Sequence, residues 1–255
     1  VICSSWGGSK IESWINKEVY TEKFPEISLS VLTKDPKDIA RPKDEPTLLY
    51  NAMIHPIKQF TIKGTIWYQG ESNLNNPQVY TRLFPAMVRS WRKEWNQGEF
   101  PFYYVQIAPY DYGRKNADKT EAAEIRQVQL ECLKEIPNAG MVVTADIGNR
   151  TCVHPSDKES VGKRLALWAL AKTYQRSGTP YSGPLYKSFT IDKEKIIVEF
   201  DYAEMGMTSY DREIVGFEIA GKDGIYYPAK AVLFDNKTKV TLTSDQVPEP
   251  VGVKY

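Results

Sequence analysis

The side chains with the most chemical potential lie in one short run, Gln69-Gly70-Glu71-Ser72-Asn73, directly after the segment from Phe60 to Tyr68. That preceding segment is rich in β-branched and aromatic residues and reads as a buried strand. The run itself has no apolar side chain. Gly70 would let the backbone turn sharply, so that the polar groups around it point at a ligand beyond the strand's carboxyl end, where open α/β sheets bind theirs. The same composition also fits a plain polar turn capped by Asn73. His154 is the second focus. It follows a strand end by a short loop and precedes a helix that begins near Pro155. An imidazole changes charge near neutral pH and suits proton transfer there, although a histidine before proline is otherwise most often a loop residue. Cys152 is a nucleophile by type, but a small buried thiol is the commoner role.

The elements that must position these groups alternate. The spacing predicts a strand over 60–68 and a helical region from Pro77, with Tyr80, Leu83, Phe84, Met87, Val88 and Trp91 on one face. Gly98 ends it. A strand over Phe102–Ala108, a polar loop over 109–119, a helix over Glu121–Glu135, a strand over Gly140–Ala145 and a helix over roughly 156–176 follow. Upstream, Val1-Ile2-Cys3 reads as the end of a strand, a helix starts near Lys10 with Ser9 as its cap, and 20–46 is an irregular excursion. A turn or short helix over 48–54 leads to His55. Strands alternating with helices predict an α/β fold with a parallel sheet covered on both faces. From Leu185 the style changes to short strands, at Ser188–Thr190, Lys195–Phe200, Ile214–Ile219 and Lys239–Leu242, separated by turn signals. The expected organisation is an α/β domain over 1–180 and a small all-β module over 181–255.

The bulk numbers narrow the function classes. The chain has 255 residues with 33 basic and 32 acidic side chains, which argues against a general nucleic-acid or anionic-membrane surface. No apolar run reaches the roughly 18 residues that a membrane span requires. Cys3, Cys132 and Cys152 are an odd number without metal-like spacing, so a disulfide framework is not expected. With only His55 and His154, a structural zinc site is not expected either, and no cofactor is implied. Six Trp and sixteen Tyr suit sugar stacking as well as a core.

Four stretches resemble one family. Trp67-Tyr-Gln-Gly-Glu-Ser-Asn73 matches the third conserved block of the sialate O-acetylesterases, a branch of the SGNH hydrolases. Ser4-Ser-Trp-Gly-Gly-Ser-Lys-Ile-Glu-Ser-Trp14, Leu49-Tyr-Asn-Ala-Met-Ile-His-Pro56 and the segment from Val153 to Leu167 match in the family's order. The resemblance implies an SGNH-type three-layer α/β/α domain and hydrolysis of acetyl esters on carbohydrates, either O-acetylated sialic acids or plant glycans. By analogy with relatives that act on glycans, it also implies a periplasmic or secreted protein. A non-catalytic carbohydrate-binding protein on the same fold is the alternative.

The resemblance also distributes roles. A serine esterase needs a nucleophile, a base, a group to orient the base, and donors for the oxyanion. His154 is the implied base. Gly7 or Gly8 would supply a backbone N–H to the oxyanion, and Gln69 or Asn73 a side-chain donor. Glu71, acceptor-only while ionised, would anchor the loop by accepting backbone or arginine hydrogen bonds. Trp6, Asn51 and Arg126 join it as substrate-binding or loop-supporting residues, with Arg126 and Gln129 resembling part of a family helix. SGNH enzymes often carry Asp three residues before the histidine, where this chain has Thr151. Asp146 is the nearest acid upstream and stands either as orienter or as a structural strand-end acid. The family's GQSNM-like nucleophile block has no counterpart here, and family chains continue beyond the last strand. The expectation is therefore an interior piece of a larger esterase, its serine supplied from outside residues 1–255.

Overall fold

In the computed structural model, which describes residues 1–112 and 120–255, the central strands pair in parallel. β1 (Thr65–Tyr68), β2 (Phe102–Val105) and β3 (Ala139–Val142) form a sheet in that order among the described residues, with Trp67 opposite Tyr104 and Tyr104 opposite Met141. All four residues of β2 are buried, as expected of a central strand covered on both faces. Parallel pairing brings the segments after β1, β2 and β3 to one edge, and these carry Gln69–Asn73, Gln106–Tyr112 and Val143–His154.

Side-chain alternation assigns the layers. Of the helices α1 (Lys17–Lys23), α2 (Pro77–Trp95), α3 (Glu121–Glu135) and α4 (Lys158–Trp168), α2 and α3 cover one face and α4 the other. Phe102 and Tyr104 point toward α2 and α3. Phe84 lies 5.9 and 4.9 Å from their rings, and the Tyr104 hydroxyl donates to the Gln129 carbonyl at 2.6 Å. Tyr103 and Val105 point the opposite way, into a cluster with Val142, Val161 and Trp168. This is the α/β/α layering expected from the alternation of elements. The helix ends follow local chemistry. Pro77 occupies the first position of α2, where a missing N–H costs nothing, and Asn96 ends it in the left-handed conformation. Asp157 caps α4, accepting the Ser160 N–H at 2.9 Å and its hydroxyl at 2.7 Å.

The boundaries are shorter than the apolar runs. β1 begins at Thr65 rather than Phe60, whose side chain is exposed, and the expected helix over 156–176 is α4 followed by a π turn at Ala169–Thr173. The predicted helix after Ser9 is a single 3-10 turn, Ile11–Trp14, which nonetheless buries Ile11, Trp14 and Ile15. Val1–Cys3 pairs with no strand among the described residues. Of the loop expected at 109–119, residues 113–119 lie outside the described residues. No helix among the described residues is long and apolar enough to cross a membrane.

The structure divides into two units, Val1–Tyr181 and Ser182–Tyr255. In the second, β4 (Leu185–Asp192), β5 (Lys195–Asp201), β6 (Glu218–Ala220), β7 (Tyr226–Pro228), β8 (Lys230–Phe234), β9 (Lys239–Thr243) and β10 (Gly252–Lys254) form antiparallel sheets ordered β4-β5-β9-β8 and β10-β6-β7. Ile196, Val198, Val240 and Leu242 alternate inward and meet Ile219 and Val247 in one core. The strand expected over Ile214–Ile219 survives only as a bridge at Ile214 and as β6, with Val215 exposed between them.

Candidate functional site

At the carboxyl edge of β1 the chain is held by amides. Asn73 is 4% exposed; its Oδ1 accepts the Ile11 N–H at 3.0 Å and the Gln69 Nε2 at 2.7 Å, while its Nδ2 donates to Glu12 Oε2 at 2.8 Å. Gln69 Nε2 also donates to the Ser9 carbonyl at 3.0 Å. Both N–H groups of Gln69 are thus committed to protein acceptors, and one N–H of Asn73 remains. Gln129, fully buried, ties the next strand in: its Nε2 donates to the Gln69 carbonyl at 3.0 Å, and its Oε1 accepts the Ile107 N–H at 2.9 Å. Gly70 sits inside this clamp. A Cβ there would lie 2.6 Å from Ile107 Cγ2 and 2.9 Å from Gln129 Nε2, so only glycine fits without a shift of its neighbours.

The segment before the first 3-10 turn joins the same edge. Trp14 and Trp67 meet edge to face at 5.6 Å, and the Ser4 hydroxyl donates to the Met53 carbonyl at 3.0 Å. Gly7 and Gly8 form an exposed turn two residues from the Ser9 carbonyl, Gly8 in the left-handed region at φ 66°. The Lys43 ammonium donates to the Gly7 carbonyl at 3.1 Å. Trp6 is 50% exposed, and Asn51 is exposed on the π turn Tyr50–Ile54.

Glu71 opens the 3-10 turn Glu71–Asn73 and is partly buried. Burial pushes its carboxyl above the usual carboxylate range, while its own backbone N–H and the positive charges of His154 and Lys158 pull it back. Apart from that N–H, its carboxyl has no hydrogen bond or ion pair with a described residue, and no arginine reaches it. Tyr68 and Tyr112 stand around it with hydroxyls that are buried and without partners among the described residues. Burial, with the Glu71 charge, pushes Tyr68 up to about 12. The Lys158 ammonium lies 4.8 Å from the centroid of the Tyr68 ring. Arg126 is partly buried beside Tyr112, and its backbone carbonyl accepts from Gln106 Nε2 at 2.8 Å.

His154 is exposed, and among the described residues its imidazole makes no hydrogen bond. Cys152 Sγ contacts the His154 carbonyl at 3.3 Å and not the ring. Asp146 is held elsewhere. Arg164 grips its two oxygens at 2.7 and 2.5 Å, and the same guanidinium donates to the Val143 carbonyl at 2.6 Å. Those bonds hold the Asp146 carboxyl below its usual range. The structure therefore gathers Gly7, Gly8, Gln69, Asn73, Glu71 and His154 at one edge and ties Asp146 to α4. Among the described residues no group of three His, Cys, Asp or Glu side chains is placed to hold a metal ion. Glu12, Tyr68, Tyr112 and Lys158 went unnoticed in the sequence. Only Lys158 carried a signal, as the first residue of the helix that follows His154.

Comparison with known proteins agrees with this arrangement. The family described as carbohydrate esterase, sialic acid-specific acetylesterase matches residues 1–171. The sialate O-acetylesterase of Homo sapiens is 32% identical over 219 residues, covering 79% of this chain and 41% of that protein. The Mus musculus sialate O-acetylesterase is 28% identical over 299 residues, covering all of this chain and 54% of that protein. The chain thus spans about half the length of these relatives. A crystal structure of a carbohydrate acetylesterase from Xanthomonas citri superposes with a TM-score of 0.85 at 36% identity, covering 99% of this chain and 54% of the other. The chain belongs to the carbohydrate esterase family of sialic acid-specific acetylesterases.

Proposed function

We propose that this chain forms part of a carbohydrate O-acetylesterase in which His154 is the general base. The observation that carries the reading is the convergence at one sheet edge of the Gly7–Gly8 turn, the Gln69–Asn73 turn and the His154 loop, in a chain of this family. A serine hydroxyl attacks the acetyl carbonyl carbon, and its proton passes to the His154 imidazole. The tetrahedral oxyanion is met by backbone N–H groups of the Gly7–Gly8 turn and by the remaining N–H of Asn73. The sugar oxygen leaves with the proton from His154. Water then attacks the acetyl-serine, giving its proton to the same ring, and acetate departs as the serine recovers its hydrogen. The nucleophile is assigned to sequence outside residues 1–255. The exposed Ile66 on β1, at 69%, supports a further chain segment packing against that strand.

The test is release of acetate by the full-length protein from O-acetylated sialic acids and from acetylated plant oligosaccharides. Acetate from either class, with no release from peptide or lipid esters, is the expected result. Binding of deacetylated glycans without any acetate release would replace the esterase by a carbohydrate-binding protein.

A further inference from the structure

We propose that Glu71 is the positioning carboxylate for His154, facing the imidazole from the end of β1 and balancing the positive charge the ring acquires when it takes the nucleophile's proton. This rests on the reading of His154 as general base. Four observations lead to it. Thr151, a residue without charge, stands where SGNH enzymes often carry Asp. Asp146, the other acid upstream, has both oxygens gripped by Arg164, whose guanidinium is itself fixed to the Val143 carbonyl. Glu71 is partly buried and lacks a side-chain partner among the described residues, so its charge is free to act on a neighbour. Finally, Lys158 Nζ above the Tyr68 ring sets the first turn of α4, and with it the loop bearing His154, against the end of β1.

The electrostatics agree with the geometry. The groups that face Glu71 are His154 and Lys158 from the loop and start of α4, Tyr68 from β1 and Tyr112 from the segment after β2. The tyrosines are held neutral by burial and contribute no competing charge at neutral pH. The cations are His154, when protonated, and Lys158, already seated on the Tyr68 ring. A carboxylate placed this way lowers the energy of the imidazolium formed in the transition state and orients the ring, without itself accepting a proton.

The experiment uses the full-length protein as wild type, E71Q, E71D, D146N and H154A. It measures kcat and KM for acetate release across pH, with a parallel NMR titration of the imidazole protons. The chain's two histidines are told apart by an H55N control. E71Q should lower kcat on the order of 10²-fold or more with KM changed less than about threefold. It should also move the acid limb of the pH profile and the His154 titration to lower pH, because the stabilising negative charge is gone. E71D should restore part of the rate, and D146N should stay within about threefold of wild type. If E71Q retains wild-type kcat and an unmoved His154 titration while H154A is inactive, Glu71 is not the partner, although His154 remains the base. If H154A itself retains activity, the underlying reading falls instead. An E71Q chain that fails to fold would also overturn the proposal, since removing a partly buried charge without a partner should not unfold the protein.

Discussion

Replacing Asn73 by alanine should cost far more stability than a surface turn residue would. The side chain makes three hydrogen bonds, at 3.0, 2.7 and 2.8 Å, in a site where it is 4% exposed. Truncation leaves the Ile11 N–H and one Gln69 N–H stranded, with Ile11 fully buried and Gln69 7% exposed. The Glu12 carboxylate is partly exposed and can recover water. Each stranded donor costs about 1–3 kcal/mol, so the loss is about 2–5 kcal/mol once partial relaxation is allowed. In a unit spanning Val1–Tyr181 that corresponds to a fall in Tm of roughly 5–15 °C. Differential scanning calorimetry of the full-length protein measures it. Asn73→Asp keeps both accepting bonds but sets a second carboxylate against Glu12, so its deficit should shrink as the pH falls into the carboxylate range. A drop below about 2 °C for Asn73→Ala would refute the clamp, because the stranded donors would then have found partners at no cost.

Three further outcomes follow from the same edge. Gly70→Ala puts a Cβ 2.6 Å from Ile107 Cγ2 and 2.9 Å from Gln129 Nε2, and should destabilise by about 1–3 kcal/mol in chemical denaturation; an unchanged midpoint would mean the turn relaxes freely. Burial raises Glu71, so the folded chain holds that proton to higher pH than the unfolded chain does, and stability is lost as the pH rises through the interval between the two values. Glu71→Gln should therefore raise Tm at neutral pH, with the gain fading below the ordinary carboxylate range; a lower Tm at neutral pH would contradict this. Asp146 is shifted the opposite way by Arg164, so its contribution is present above the ordinary aspartate value and disappears as the pH falls through the depressed one. With its side chain 63% exposed, Asp146→Asn should cost less than about 1 kcal/mol and only above that range; a loss that persists in strong acid would rule out the ion pair as its cause.

Much of this edge was legible in the residue pattern. The change from the apolar run ending at Trp67 to Gln69–Asn73 located the end of β1, and parallel α/β topology put His154 on the same side. The stripe from Tyr80 to Trp91 gave α2, because its spacing is set by the helix itself. What the pattern did not carry was which polar group each amide would meet. Gln69 and Asn73 read as donors awaiting a ligand, yet their partners Ser9, Ile11 and Glu12 lie about 60 residues earlier in the chain. Local composition holds no record of pairing at that separation. Asp146 shows the same effect, since its partner Arg164 is 18 residues away on α4. Strand ends were overextended for a related reason. Phe60 and Ile62 have the right residue types, but Gly64 closes on the Pro101 carbonyl, and ladder pairing begins only at Thr65.

The central claim is that His154 at this edge drives the removal of acetyl groups from a carbohydrate. Its most direct test is acetate release from an O-acetylated sugar by the full-length protein and its His154→Ala variant, with matched circular dichroism and Tm. The account predicts a fall in kcat on the order of 10²-fold or more in a chain that folds as the wild type does. Turnover by the variant within about threefold of wild type would contradict it and return the search for the base to the remaining polar groups at the ends of the strands.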